Sequence, residues 1–296
     1  MFLACSGGGD RGIVLLGMIK QLNEQKPIKY DKMAGISTGA LVCALVSTLD
    51  NLDHSLDKKI NIFMNDTFQI VNPWTSYFNA LDAYMYHDSI YSSKPLKDTI
   101  ERNFDPSDVK VPFTVGVYNK TLANYEIQQP TKATILASAS VPIVLPSVKI
   151  NNYDYEDGGM RHIIPVLEIK QFIKETEGPK HIDVLMCFPI DNKEIFMKML
   201  VPQNENGLIK VAKRSLADAT LTIMDSDLNE LCNIMNITFD DMVQKPCNTF
   251  VNGDVTMRIL SPYYGWHSDF VHMTKENSKR LLESGRDTVK TYLSDT

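Results

Sequence analysis

Three short stretches of this 296-residue chain combine glycine with a residue able to do chemistry, and their order along the chain matters. The first is Ser6-Gly7-Gly8-Gly9-Asp10-Arg11-Gly12. Consecutive glycines let a backbone approach a ligand closely, and a helix starting there would add unpaired N–H donors and a positive dipole end. Such a turn suits an anion or an oxyanion. The second is Gly35-Ile36-Ser37-Thr38-Gly39, a G-x-S-x-G sequence that can lift a serine hydroxyl out of a sharp turn as a nucleophile. The third is Asp157-Gly158-Gly159. Taken alone it is an ordinary turn.

The flanking segments give these stretches their setting. Phe2 to Cys5 is a short apolar run bounded by glycine and predicts a buried strand. Ile13 to Gln25 has helical spacing in Ile13, Leu16 and Ile19, and ends at Lys26-Pro27. Lys32 to Ile36 predicts a second strand, and Gly39 to Leu49 a second helix. Strand, helix, strand, helix implies a parallel sheet with right-handed crossovers. Further along, strands are predicted over 113–118, 124–127, 182–187 and 255–260, with a hairpin over 148–155 turning at Asn151-Asn152. Helices are predicted over 131–140 and 207–235, and over about 275–293, where Leu281, Gly285, Val289 and Leu293 fall four apart.

In these residues the chain resembles the patatin-like phospholipases. That family has a G-G-G-x-R-G oxyanion loop, a G-x-S-x-G elbow some thirty residues on, and a D-G-G or D-G-A turn with the catalytic Asp. Here the matches are Gly7 to Gly12, Gly35 to Gly39 and Asp157 to Gly159. The approach to the third, Ala137-Ser138-Ala139-Ser140-Val141-Pro142 and then Leu145-Pro146, is also similar, as is a closing segment from Asp269-Phe270 to Gly285. The resemblance is strong over 1–50 and 131–168 and weak over 51–110 and 188–254. It implies an α/β three-layer sandwich with a mostly parallel central sheet, and one patatin-like domain over 1–296.

It further implies that Ser37 is the nucleophile and Asp157 its direct general base, a dyad without histidine, passing through an acyl-enzyme. Gly7, Gly8 and Gly9 would form the oxyanion hole, with the Gly8 and Gly9 amides as donors. Arg11 would hold the loop in shape, the alternative being a surface ion-pair residue. Gly12, Gly35, Gly39, Gly158 and Gly159 would shape the turns. Asp10 departs from the small or apolar residue common at its position; a carboxylate there would oppose an oxyanion, so it is expected to face solvent. No cofactor and no metal is required. The implied substrates are phospholipids, lysophospholipids or other acyl esters at a membrane or micelle surface. Phe63, Phe68, Trp74, Tyr77, Phe78, Tyr84, Tyr86 and Tyr91 could line an acyl groove or touch that surface, or belong to helices packed on the core.

Other readings compete. Gly7, Gly9 and Gly12 also fit G-x-G-x-x-G, but a dinucleotide site needs an acid at the end of the second strand, where Gly35-Ile36-Ser37 stands. A Ser-Asp-His hydrolase could use Ser37, Asp157 and His267 or His272, although such enzymes place several strands before the elbow. A non-catalytic lipid-binding relative would have no need of both Ser37 and Asp157. Composition narrows the field. Net charge is −6, and the basic residues are scattered, which gives no footprint for nucleic acid. The six histidines and five cysteines show no metal-ligand spacing. Cys5, Cys43, Cys187, Cys232 and Cys247 are expected to be free thiols in a reducing, cytoplasmic setting. No signal peptide and no apolar run of about 18 residues stands out, so the expectation is a protein without a transmembrane segment that touches membranes peripherally.

Overall fold

The computed structural model describes residues 1–52, 54–66, 89, 91–194, 197, 208–262 and 274–294. One nine-stranded sheet is built from β1 (Phe2–Cys5), β2 (Lys32–Ile36), β3 (Phe113–Asn119), β4 (Asn124–Gln128), β5 (Val148–Ile150), β6 (Tyr153–Asp157), β7 (Lys180–Leu185), β8 (Cys247–Asn252) and β9 (Val255–Leu260). The helices are α1 (Gly12–Gln25), α2 (Thr38–Val46), α3 (His54–Asp66), α4 (Lys94–Asn103), α5 (Lys132–Ser138), α6 (Val166–Glu175), α7 (Leu208–Met235), α8 (Phe239–Gln244) and α9 (Lys275–Ser294). The strands follow the path β5-β6-β3-β2-β1-β7-β9-β8, with β4 also on β3. Pairs β1–β2, β1–β7, β2–β3 and β7–β9 are parallel; the flanking pairs are antiparallel.

Every residue of β1 is buried, as a central parallel strand covered on both faces requires. On one face α1 lies against α9 and α2; on the other, α6 packs on β1 and α7. Phe172 of α6 stacks on Phe2 at 4.7 Å. Helix α1 is buried almost all round because it sits between the sheet and α9. The two helices cross closely: a Cβ on Gly17 would overlap the Leu282 carbonyl, and one on Gly285 the Val14 carbonyl.

Helix α9 departs from the strict four-residue stripe. Leu281 and Val289 are buried, but Leu293 is 38% exposed and Tyr292 takes the inner position. Steps of four overshoot the 3.6-residue turn by about 40° each, and three of them carry residue 293 off the buried face.

Two features of the sheet place the site. Chain direction across the sheet reverses at β1, whose neighbours are β2 on one side and β7 on the other. Crevices form at the carboxyl ends of strands at such a switch point. The second feature lies along β3. Strand β4 pairs with residues 115–119 of β3, β2 with 113–116 and β6 with 117–119. Both β2 and β6 overlap β4 in register, so they share the opposite edge of β3. Ile36 pairs with Gly116 and Asp157 with the next residue, Val117. The end of β2 therefore abuts the end of β6, bringing two turns 120 residues apart into contact.

Candidate active site

Ser37 occupies the N-cap of α2 with φ 55° and ψ −125°. Positive φ is costly for a residue with a Cβ, and the surroundings hold it there. Gly35 and Gly39 pack backbone on backbone, and a Cβ on Gly39 would also overlap the Cys5 carbonyl. The Ser37 N–H donates to Ser138 Oγ at 2.9 Å, and Ser138 Oγ donates to the Gly116 carbonyl at 2.6 Å. One buried hydroxyl thus ties the elbow to β3.

The Ser37 hydroxyl donates to Asp157 Oδ2 at 2.6 Å. Asp157 Oδ1 accepts from the Gly159 N–H at 2.7 Å, and its own N–H donates to the Ser140 carbonyl at 3.0 Å. Both side chains are buried. Burial pushes the Asp157 carboxyl up to about 7, against the lowering effect of its bonds from Ser37 and Gly159. A Cβ on Gly158 would overlap the Gly116 carbonyl, so that glycine lets the Asp157 turn close on β3.

The glycine loop runs beside this pair. The Gly7 N–H donates to the Ile163 carbonyl at 2.8 Å. Gly8 sits against Cys187 with no room for a Cβ, and Gly9 takes φ 60°. Among the described residues, neither the Gly8 nor the Gly9 N–H makes a hydrogen bond. Gly12, which opens α1, closes on Thr38 and Phe63. Arg11 is fully buried, with its guanidinium 5.4 Å from the Phe188 ring centre, and is no surface residue. The expectation for Asp10 fails. Its side chain is only 9% exposed and lies 3.6 Å from Arg11 Nη1. The short 3-10 turn over Gly9–Arg11 folds it back, and the adjacent guanidinium balances its charge.

A cleft of about 850 Å³, mouth included, opens over these groups. Its floor is Gly7, Gly8, Gly9, Ser37, Asp157 and Gly159; its walls include Val141, Pro142, Val144, Met160, Ile163, Phe188 and the Leu216 to Ile223 stretch of α7. The walls are almost wholly apolar and suit a hydrocarbon chain. Phe63 is buried in α3 and Tyr91 is partly buried against the core; the other six aromatics of the 60–92 stretch lie outside the described residues, as do Asp269, Phe270, His267 and His272.

Sequence reasoning gave no role to Ser138 or Asp227. Ser138 lies in the quoted Ala-Ser-Ala-Ser run, a weak signal. Asp227 Oδ1 lies 2.7 Å from His162 Nδ1, and its Oδ2 accepts from the Ile163 and Ile164 N–H groups at 2.6 and 2.9 Å. Its signal was an acid continuing the apolar stripe of α7.

The patatin-like phospholipase family model matches residues 3–169, more than half of the chain, and the chain belongs to that family. Among curated relatives it is 28% identical over 197 residues to a probable lipid hydrolase, 463L, of Invertebrate iridescent virus 6, covering 59% of this chain and 65% of that one. It is 25% identical over 197 residues to the lysophospholipase NTE1 of Candida albicans, covering 64% of this chain but 13% of the fungal protein. The chain thus spans less than two thirds of either relative. Among solved structures it is similar to VipD of Legionella pneumophila, at 14% identity and a TM-score of 0.42, covering 99% of this chain and 66% of that one.

Proposed function

We propose that the chain is a lipid acyl hydrolase that cleaves carboxylic esters of phospholipids or lysophospholipids through a Ser37–Asp157 dyad. The observation that carries this reading is the 2.6 Å bond from the Ser37 hydroxyl to a buried carboxylate at the floor of an apolar cleft. Ser37 Oγ attacks the ester carbonyl carbon while its proton passes to Asp157. The carbonyl oxygen becomes an oxyanion facing the Gly8 and Gly9 amides; in serine hydrolases one such donor is worth about 3–4 kcal/mol. Gly7, whose N–H is engaged by Ile163, shapes the loop rather than donating. Collapse breaks the ester C–O bond, and the leaving alkoxide takes the proton from Asp157. Water, deprotonated by Asp157, then attacks the acyl-enzyme, releasing the fatty acid and restoring the Ser37 hydroxyl.

The raised Asp157 carboxyl suits a base working near neutrality. His162, a conceivable triad histidine, points its Nδ1 at Asp227 instead. Strands β7 to β9, beyond the 3–169 match, continue the same sheet, which supports one patatin-like unit over 1–296. No helix among the described residues is long and apolar enough to cross a membrane, and the reading takes substrate from a membrane or micelle surface. The five free cysteines fit a reducing, cytoplasmic compartment.

The test is fluorophosphonate labelling with product analysis on a mixed lipid extract. Wild type should be labelled and should release fatty acid; Ser37→Ala should do neither. Equal labelling of Ser37→Ala would overturn the assignment. Chelator should leave hydrolysis intact, and NAD should not raise Tm; saturable NAD binding would revive the dinucleotide reading.

A further inference from the structure

We propose that Asp227 is a positioning residue that ties the acyl-binding wall of the cleft to both the base turn and the oxyanion loop; this rests on the hydrolase reading above. Leu216, Thr220, Ile223 and Asp227 fall at i, i+4, i+7 and i+11, one face of α7. The first three line the cleft beside Ser37. The same face ends in a carboxylate that is 1% exposed, with both oxygens engaged.

Asp227 acts on backbone. Its Oδ2 accepts two consecutive N–H groups, Ile163 at 2.6 Å and Ile164 at 2.9 Å, and its Oδ1 meets His162 Nδ1 at 2.7 Å. Three successive residues of the turn that follows Asp157 are thereby fixed to α7. The clamp reaches further through the peptide it holds. The Ile163 carbonyl accepts the Gly7 N–H at 2.8 Å, the bond that sets the start of the Gly7–Gly9 loop. Asp227 never touches Ser37, Asp157 or the loop glycines. Yet the turn carrying the base and the loop carrying the oxyanion donors are both referenced to the helix that would hold the acyl chain. Placement errors of about 1 Å in such groups cost about 100-fold in rate, so a clamp of this kind acts on kcat.

The hydrogen-bonded cluster around Asp227 runs away from the dyad, to part-exposed His162. His162 is in edge contact with Tyr125 at 4.8 Å, and the Tyr125 hydroxyl donates to buried Glu168 at 2.7 Å. Among the described residues this network does not include Ser37.

The experiment compares Asp227→Asn and Asp227→Ala in the full chain, by steady-state kinetics on a micellar lysophospholipid and by amide hydrogen exchange. Asp227→Asn keeps a side-chain oxygen for the two N–H groups and is expected to fold. Its kcat should fall about three- to tenfold with KM within twofold. Asp227→Ala, where folded, should lose about thirtyfold or more in kcat, again with little change in KM. In both variants exchange should accelerate at Gly7 as well as at Ile163 and Ile164, although residue 227 does not touch Gly7. A folded Asp227→Asn with wild-type kcat would overturn the proposal, as would Gly7 protection unchanged while Ile163 is deprotected. Asp227→Asn as inactive as Ser37→Ala would overturn it too, since the charge would then be acting in the chemistry. The exchange comparison does not depend on turnover, so it reads the clamp even if Ser37→Ala were to show the hydrolase assignment wrong.

Discussion

Ser37 has two demands to meet, a strained backbone and a proton acceptor within bonding distance, and single side chains meet each. Ser138 serves the first by accepting the Ser37 N–H and donating to Gly116. Ser138→Ala would leave a buried N–H and a buried carbonyl without that partner. The expected cost is about 1–3 kcal/mol of stability, read by urea denaturation, and a fall in kcat of about tenfold as the elbow loosens. Asp157 serves the second. If it is the direct base, Asp157→Asn should lower hydrolysis by about three orders of magnitude, while His162→Gln, His267→Gln and His272→Gln each stay within about tenfold of wild type. A folded His variant as inactive as Ser37→Ala would replace the dyad with a triad. At this scale the sequence was informative where a residue's role is set by its immediate neighbours. Gly35-Ile36-Ser37-Thr38-Gly39 and Asp157-Gly158-Gly159 carry their turn chemistry in adjacent letters. Asp10 and Asp227 do not. The fate of Asp10 depends on the guanidinium folding over it, and that of Asp227 on a turn 63 to 65 residues away.

Several strongly patterned elements were legible, while α3, α4, α6, α8 and β8 were not read from the sequence. The all-apolar β1, the short β2 and the strand over 255–260 fall where the sequence predicts them. Helix α4 did not stand out because only Leu96 and Ile100 are buried in an otherwise polar ten-residue segment. Strand β8 is an edge strand paired on one side only, and its sequence Cys247–Asn252 lacks a continuous apolar run. The α1–α9 contact is a tertiary property that gives Gly285 a testable sign. In an isolated helix Gly→Ala gains about 1 kcal/mol from propensity. Here the new methyl would enter the Val14 carbonyl, a backbone atom that cannot rotate away. Overpacking of that kind costs about 1–3 kcal/mol, so Gly285→Ala should lower the urea midpoint rather than raise it. A stabilised Gly285→Ala would mean that the two helices sit farther apart.

On the scale of the whole molecule, the site sets stability against activity along the pH axis. Asp157 and Glu168 are both buried carboxyls pushed up to about 7, each mainly by loss of hydration. Unfolded, they titrate at about 4. Between those values the native chain holds more protons than the unfolded one, so stability falls as pH rises. Their favourable contribution is complete below about 4 and gone above about 7. A shift of about three units in a fully buried group corresponds to an upper bound of about 4 kcal/mol. If Asp157 is the base, catalysis needs the opposite state: kcat/KM should rise with pH through a single ionisation near 7 as Asp157 loses its proton. Asp157→Asn removes that ionisable group and keeps an acceptor for the Ser37 hydroxyl. It should therefore unfold several degrees higher than wild type at pH 8, with the difference vanishing near pH 4, while remaining inactive at both. Glu168→Gln should show the same pH-dependent gain in Tm but retain hydrolysis, since Glu168 meets Tyr125 rather than the dyad. Scanning calorimetry of the three proteins at pH 4, 6 and 8 separates these outcomes. A Tm difference for Asp157→Asn that does not change with pH would show that the carboxyl is not ionising over this range, and the base assignment would lose its electrostatic support.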